Sequence, residues 1–182
     1  MQDDELFAHL VSEALKHGAR VEIDGLGTFH RDSGNHYRFE RKALPKVFIA
    51  YAHEDAAAAE KLFDAFTASG FDPWMDRRKL LPGQNWPRRI EDAIASSDFF
   101  IACFSGNSVR KRGGFQAEIR FALDCAVRIP LDDVFLIPVR LDECRVPVRI
   151  QRETQYVDLF PDWNGGFARI LQIIERQNLL AA

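Results

Sequence analysis

Cysteine is scarce in this chain of 182 residues: Cys103, Cys125 and Cys144 are all it has, and none stands in a CxxC pair. An odd, widely spaced set argues against a disulfide-built scaffold and against a metal site, and suits a reducing compartment. Positive charge is not in excess either. Lys and Arg number 24 against 27 Asp and Glu, a formal net charge of −3. A general nucleic-acid binder needs a basic surface to displace counterions, so this balance speaks against one. The runs Arg77-Arg78-Lys79 and Arg110-Lys111-Arg112 read as solvated faces. No apolar stretch approaches the ~18 residues of a membrane span. The opening MQDDELFAHLVSEALKHG lacks the basic-then-apolar plan of a secretory signal, so the expected location is the cytoplasm. Also missing are the Rossmann glycine fingerprint, the P-loop, HExxH and the GxSxG elbow. A dinucleotide, if bound, is therefore not held in the dehydrogenase manner.

What is present changes rhythm near Pro45. Residues 4–17 carry Leu6, Phe7, Leu10, Val11, Ala14 and Leu15 at helical spacing, and Gly18 ends the run. RVEID, GLG and TFHR then alternate and turn like a hairpin, and YRFER (37–41) can add a strand. Residues 1–44 thus read as a small α-β-β module. From Lys46 the chain alternates apolar strands with helices. KVFIAYA (46–52), FDPWMD (71–76), DFFIACFS (98–105), DVFLIPVRL (133–141) and TQYVDLF (154–160) are the strands. Continuous apolar runs mark strands covered on both faces. The helices are the segment after Asp55, RRIEDAIASS, residues 114–127 and residues 165–177; RRKLLPGQNWP is a loop that turns at Pro82-Gly83. The pattern predicts an α/β fold, a flavodoxin-like five-stranded parallel sheet with helices on both faces. Ligands of such sheets sit beyond the carboxyl ends of the strands, which directs attention to residues 50–55, 75–86, 104–118 and 140–147.

At the first strand end, Ala50 and Ala52 would let a ligand approach the backbone, while Tyr51 and His53 offer a ring and a titratable group. The same stretch also reads as a helix start, with Asp55 as cap and Glu54 favoured by the helix dipole. The loop after the second strand carries Leu80, Leu81 and Trp86 without periodicity, which suits a lid or contact surface. Ser105 and Ser108 read as turn or cap residues. Glu118 follows Phe115 by three positions and shares its helix side with Phe121 and Ala122, so a carboxylate stands beside apolar surface. Composition and spacing alone end there, at a flavodoxin-like domain with a ligand cleft.

Four segments in order, KVFIAYAHED, GFDPWMDRRKLLPGQNW, IEDAIASSDFFIACFSGNSV and GGFQAEIRFALD, resemble a bacterial Toll/interleukin-1 receptor (TIR) domain. The resemblance runs from about Lys46 to Gln177 and gives a TIR domain over 46–178. Many TIR domains cleave the nicotinamide–ribose bond of NAD+. The resemblance therefore implies an NAD+ glycohydrolase of prokaryotic immunity, active on self-association, with NAD+ as substrate and with no cofactor or metal. Its catalytic residue would be Glu118. Tyr51, Ala52 and His53 would line the nicotinamide side of the cleft, Asp76, Arg77 and Leu81 would border it, Ser105 would lie on its floor and Phe115 would supply a ring. Many relatives place a tryptophan four residues before the glutamate, where this chain has Gly114. The loop bearing Leu80, Leu81, Pro82, Gly83 and Trp86 would pack on a neighbouring subunit. The alternative role for such a domain is a non-enzymatic scaffold or virulence adaptor. LVSEALKHGARVEIDGLGTFHRD resembles the opening of HU/IHF-type proteins but lacks their basic β-arms, so residues 1–44 are expected to dimerise or to dock an activating partner protein, not to grip nucleic acid.

Overall fold

The apolar spacing of the first segment produces helix α1 (Asp3–His17), and three short strands follow: β1 (Arg20–Ile23), β2 (Gly27–Arg31) and β3 (Tyr37–Arg41). The computed structural model describes residues 3–17, 20–23, 27–32, 34, 36–41, 43–79, 85–110, 112–130 and 132–180. The chain divides into two units, Met1–Leu44 and Pro45–Ala182. In the first, the strands form an antiparallel sheet in sequence order, and Phe29 pairs with Phe39 at a ring separation of 4.5 Å. Asp32 fixes the turn before β3 by accepting from the Gly34 and His36 N–H groups and from Arg38 Nε.

The second unit opens with β4 (Lys46–Ala50), a single 3₁₀ turn (His53–Asp55) and α2 (Ala56–Ala68). β5 (Asp72–Trp74), α3 (Asp76–Lys79), α4 (Trp86–Ala95) and β6 (Phe99–Phe104) come next. The remainder is α5 (Gly114–Ala126), β7 (Leu136–Arg140), α6 (Val148–Glu153), β8 (Val157–Asp158) and α7 (Trp163–Leu180). All strand pairings are parallel, in the order β5-β4-β6-β7-β8. The chain leaves β4 toward one sheet edge and returns to build β6 on its other side. The crevice of an open parallel sheet forms where the order reverses, here beyond the carboxyl ends of β4 and β6.

Strand side chains alternate between the two faces, and the core divides accordingly. Val47, Ile49, Ile101, Cys103, Ile137 and Val139 join Leu62 and Phe66 of α2 and Ile170 and Ile174 of α7. Phe48, Ala50, Phe100, Ala102 and Phe104 join Ile94 of α4, Phe115, Ile119 and Ala122 of α5, and Ile150 of α6. On that second face Phe48 stacks on Trp74 at 4.7 Å and on Phe100 at 5.2 Å. Burying each such aromatic contributes roughly 1.5–3 kcal/mol. Arg140 closes the far edge, binding both carboxylate oxygens of Asp158 at 2.5 and 2.8 Å.

The structure departs from the sequence reading at its short elements. Residues 76–79 form a helical turn where a loop was expected, because Arg78 anchors there: it pairs with Glu60 of α2 and lies 5.1 Å from the Phe63 ring. α6 was not expected; its six residues start after Pro147 and bury only Ile150, too brief a pattern to register. α4 starts earlier than RRIEDAIASS implies, since Asn85 Oδ1 accepts from the Arg88 N–H and Pro87 occupies the first turn. Asp55 makes no capping bond at α2, because its carboxylate is engaged by the β6–α5 loop instead. Leu80, Leu81, Pro82 and Gly83 lie outside the described residues.

Two adjacent glycines test the packing of α7. A Cβ at Gly166 would collide with the Asp158 carbonyl oxygen and lie 3.0 Å from the Leu159 Cα. A Cβ at Gly165 would meet only the Asp162 carboxylate, which can swing aside at the cost of its bond from the Gly165 N–H. Gly166→Ala is therefore expected to lose about 1–3 kcal/mol in urea unfolding. Gly165→Ala should stay within about 1 kcal/mol, because the helix-propensity gain of alanine offsets the lost bond.

Candidate functional site

Beyond Ala50 the chain turns out of the sheet through Tyr51 and Ala52 into the 3₁₀ turn. Tyr51 is half-buried, and its hydroxyl donates to Asp76 Oδ1 at 2.5 Å, while the Arg77 N–H donates to the same oxygen at 2.7 Å. Burial and the neighbouring Asp76 charge push the Tyr51 phenol far above its ordinary value. Tyr51 is thus a fixed hydrogen-bond donor that positions Asp76 and cannot act as a base near neutral pH.

The β6–α5 loop is tied to the β4–α2 turn by a polar network. Ser105 Oγ donates to Asp55 Oδ2 at 2.5 Å, and Asn107 Nδ2 donates to Asp55 Oδ1 at 3.1 Å. Ser108 Oγ accepts from the Ser105 N–H at 2.8 Å, and Ser105 Oγ accepts from the Ser108 N–H at 3.1 Å. Gly113 then takes φ +140°, which a side chain would strain, and lets α5 begin at Gly114. Phe115 seats the helix: only 8% exposed, it meets Phe104 edge-on at 5.7 Å.

That seating carries Glu118 to the margin of the core. Its carboxyl is pushed up to about 7, chiefly by burial and secondarily by the charge of Asp76. It lines a hollow of about 270 Å³ together with Tyr51, Ala52, His53, Asp76 and Phe115. Arg112, Gly113, Gly114 and Gln116 complete the wall. The sequence placed Gly114 and Gln116 at the start of this helix, but it did not show the positive φ of Gly113 just before them. Two expected residues are not in the wall: Arg77 supplies its backbone N–H to Asp76, and Ser105, 1% exposed, spends its hydroxyl on Asp55. Leu81 lies outside the described residues. Phe115 lines the hollow, but most of its ring surface is committed to the core.

A partly desolvated carboxylate in such a hollow can accept from sugar hydroxyls and oppose positive charge growing on a carbon between them. About 270 Å³ falls just under the lower end of the ~300–1,000 Å³ common for ligand pockets, so it suits part of a dinucleotide better than the whole. Among the described residues, no three His, Cys, Asp or Glu side chains converge as metal ligands. No helix among them is long and apolar enough to cross a membrane.

The TIR-domain family profile matches residues 47–171. The uncharacterized protein y4cD of Sinorhizobium fredii is 24% identical over 112 residues, which is 62% of this chain and 17% of that protein, so the chain spans less than a fifth of that relative. Among solved structures, the chain is similar to the TIR domain of the Toll-related receptor TRR-2 of Hydra magnipapillata (TM-score 0.58, 24% identity, 71% of this chain and 97% of that one). It is also similar to a metazoan TIR-STING receptor from C. gigas in complex with 2′,3′-cGAMP (TM-score 0.53, 22% identity, 70% and 38%). A third similarity is to the TIR domains of the activated Roq1 resistosome (TM-score 0.52, 18% identity, 72% and 98%). At these identities the structural likeness speaks for fold alone. The profile match covers more than half of the chain and agrees with the sheet order and strand-end crevice described above: the chain belongs to the TIR-domain family.

Proposed function

We propose that the chain is an NAD+ glycohydrolase, a nucleosidase that cleaves the nicotinamide–ribose bond and becomes active on self-association in prokaryotic immunity. One observation carries the reading. Glu118, a carboxyl held near neutral pKa by burial, faces a hollow that also presents Asp76, His53 and Arg112. In the reaction the ribose C1′–nitrogen bond breaks and both electrons stay on the ring nitrogen, so nicotinamide leaves neutral and needs no acid. Positive charge passes to the sugar, as in glycoside cleavage. The Glu118 carboxylate opposes that charge and accepts from a ribose hydroxyl, and Asp76, oriented by Tyr51, adds to the same field. Water then adds to C1′ and releases a proton, giving ADP-ribose; attack by a nitrogen of the same molecule's adenine would give a cyclic isomer instead.

Self-association rests on the residues around the second strand end. Trp86 is 56% exposed at the start of α4. In the Met1–Leu44 unit, Leu10, Tyr37 and Phe39 are exposed, an apolar set that suits docking of an activating partner or a second copy. NAD+ is the small-molecule partner on this reading, and the site calls for no cofactor.

Incubation of concentrated protein with NAD+ should release nicotinamide on a chromatogram. Glu118→Gln should lower the rate about 10²–10³-fold, and no release at any concentration, or equal release by the variant, would leave only a scaffold acting through TIR–TIR contacts. Because the ionised carboxylate does the work, the rate should rise with pH through about 7 and then level off. On this reading the rate per molecule also rises with protein concentration, so the total rate climbs more than linearly.

Glu118 predicts a stability effect of definite sign as well. Its folded-state pKa of about 7 lies above the unfolded value of 4.5, so the folded chain holds the extra proton between those limits. Stability is therefore lost as pH rises through that window, and the penalty is complete above it. Melting curves of wild type and Glu118→Gln should coincide near pH 4, and the variant should melt higher at pH 8.

A further inference from the structure

The Met1–Leu44 unit covers little of its own apolar surface. Among its described residues Leu15 is the one large apolar side chain that is fully buried, while Leu10, Tyr37 and Phe39 stand exposed. Units of this size usually supplement so thin a core with disulfides, a metal or a second chain. The three cysteines all lie beyond residue 44, and no metal-ligand cluster forms among the described residues. The outer edge of β3 shows which chain could serve. Among the described residues β3 pairs with β2 on one side and with nothing on the other. At the turn between those two strands the Asp32 N–H donates to the His36 carbonyl at 3.0 Å. Bonding alternates along an antiparallel ladder, so Arg38 and Glu40 turn their backbone groups toward β2, and Tyr37 and Phe39 turn theirs outward. Tyr37, Arg38, Phe39 and Glu40 are all exposed. Such an edge is a template for another strand.

We propose that β3 of one chain pairs antiparallel with β3 of a second copy, about a two-fold axis at Phe39. The strand is self-complementary in that register. Phe39 faces the second copy's Phe39, and the outward N–H and C=O of each exchange both bonds of the pair. Arg38 falls opposite the second copy's Glu40, and by symmetry Glu40 falls opposite its Arg38. These are the closer, non-hydrogen-bonded positions, where opposite charges stabilise a ladder and like charges weaken it. Centring the contact on residue 38 or 40 would instead set Arg38 or Glu40 against its own copy. Arg38 donates its Nε to Asp32, and its side chain stays 68% exposed, open to a carboxylate across the edge. Phe39 already lies 4.5 Å from Phe29, so the rings of both copies form one row across the joined sheet and cover surface that is open in the single chain. The opposite edge, β1, has only four residues and presents no exposed large apolar side chain. The pairing makes the second copy the occupant of this unit's apolar set. It stands on the β3 register and needs neither Glu118 nor NAD+, so it and the glycohydrolase reading can fail separately.

Sedimentation of the full chain without NAD+ tests the contact. Wild type should run at twice the chain mass of 20.8 kDa. Arg38→Glu sets carboxylates face to face across the pair, and Glu40→Arg sets guanidiniums face to face. Each variant alone should dimerise about tenfold or more weakly. Mixed in equal amounts, the two variants meet with every charge opposed again, and the mixture should recover dimerisation to within about threefold of wild type. Chains that had merely lost their fold would not recover on mixing. Phe39→Cys should oxidise to a covalent dimer beyond any seen in wild type, because residues facing each other in such a pair hold their Cα atoms about 5.5 Å apart, within disulfide reach. Tyr37→Cys, displaced from the axis, should not. Wild type at single-chain mass at every concentration, single variants that dimerise as wild type does, or a mixture as weak as its components would overturn the pairing. Crosslinking at residue 37 in place of 39 would overturn its register.

Discussion

The site depends on one contact, the seating of α5 on the sheet by Phe115 against Phe104. That contact sets the helix's height and rotation. Three residues on, it leaves Glu118 at the edge of the core instead of in bulk water. A carboxylate fully in solvent would titrate like any other and interact weakly with substrate charge. One fully enclosed would stay protonated. The half-buried position near Asp76 is what makes a carboxyl with a pKa of about 7. The seat in turn needs β6 to be apolar throughout, since Phe104 is its last residue.

Polar connections hold the rest of the arrangement in register. Asp55 receives Ser105 and Asn107 across the reversal point of the sheet, and Tyr51 receives its anchor from Asp76 beyond β5. Each bond joins the carboxyl end of one strand to that of a neighbour; Asp55, Ser105 and Asn107 brace the crevice from outside the hollow, while Tyr51 and Asp76 brace it from within its wall. Buried polar groups that satisfy one another can specify a single geometry where apolar packing alone would tolerate several. This explains why Asp55, which looks like an ordinary helix-start residue in the sequence, makes no capping bond, while Ser105 both closes its own turn by accepting from the Ser108 N–H and donates to Asp55.

Strands and long helices were legible because their signal is periodic and repeated. VFIA and FFIACF are buried along their whole length, and the sequence shows this as unbroken apolar runs. Glu118 was legible as a carboxylate beside apolar residues, and the family resemblance singled it out. The short elements were not legible. α3 exists because Arg78 finds Glu60 and Phe63 across space, and such a partner leaves no local trace. The destination of the Ser105 hydroxyl was hidden for the same reason: its partner lies fifty positions away. Arg112 and Gln116 were missed as wall residues because only the backbone conformation of Gly113 turns that segment inward.

The central claim is that Glu118 is a desolvated carboxyl under the influence of Asp76, and its titration can be observed directly. Carbon-13 labelling of glutamate side chains would let the Glu118 carboxyl be followed by NMR as pH is varied, with Glu118→Gln assigning the signal. The account predicts a midpoint near 7, moving down in Asp76→Asn as the neighbouring charge is removed. A midpoint near 4.5 that does not respond to Asp76→Asn would place the carboxyl in ordinary solvent and contradict the account.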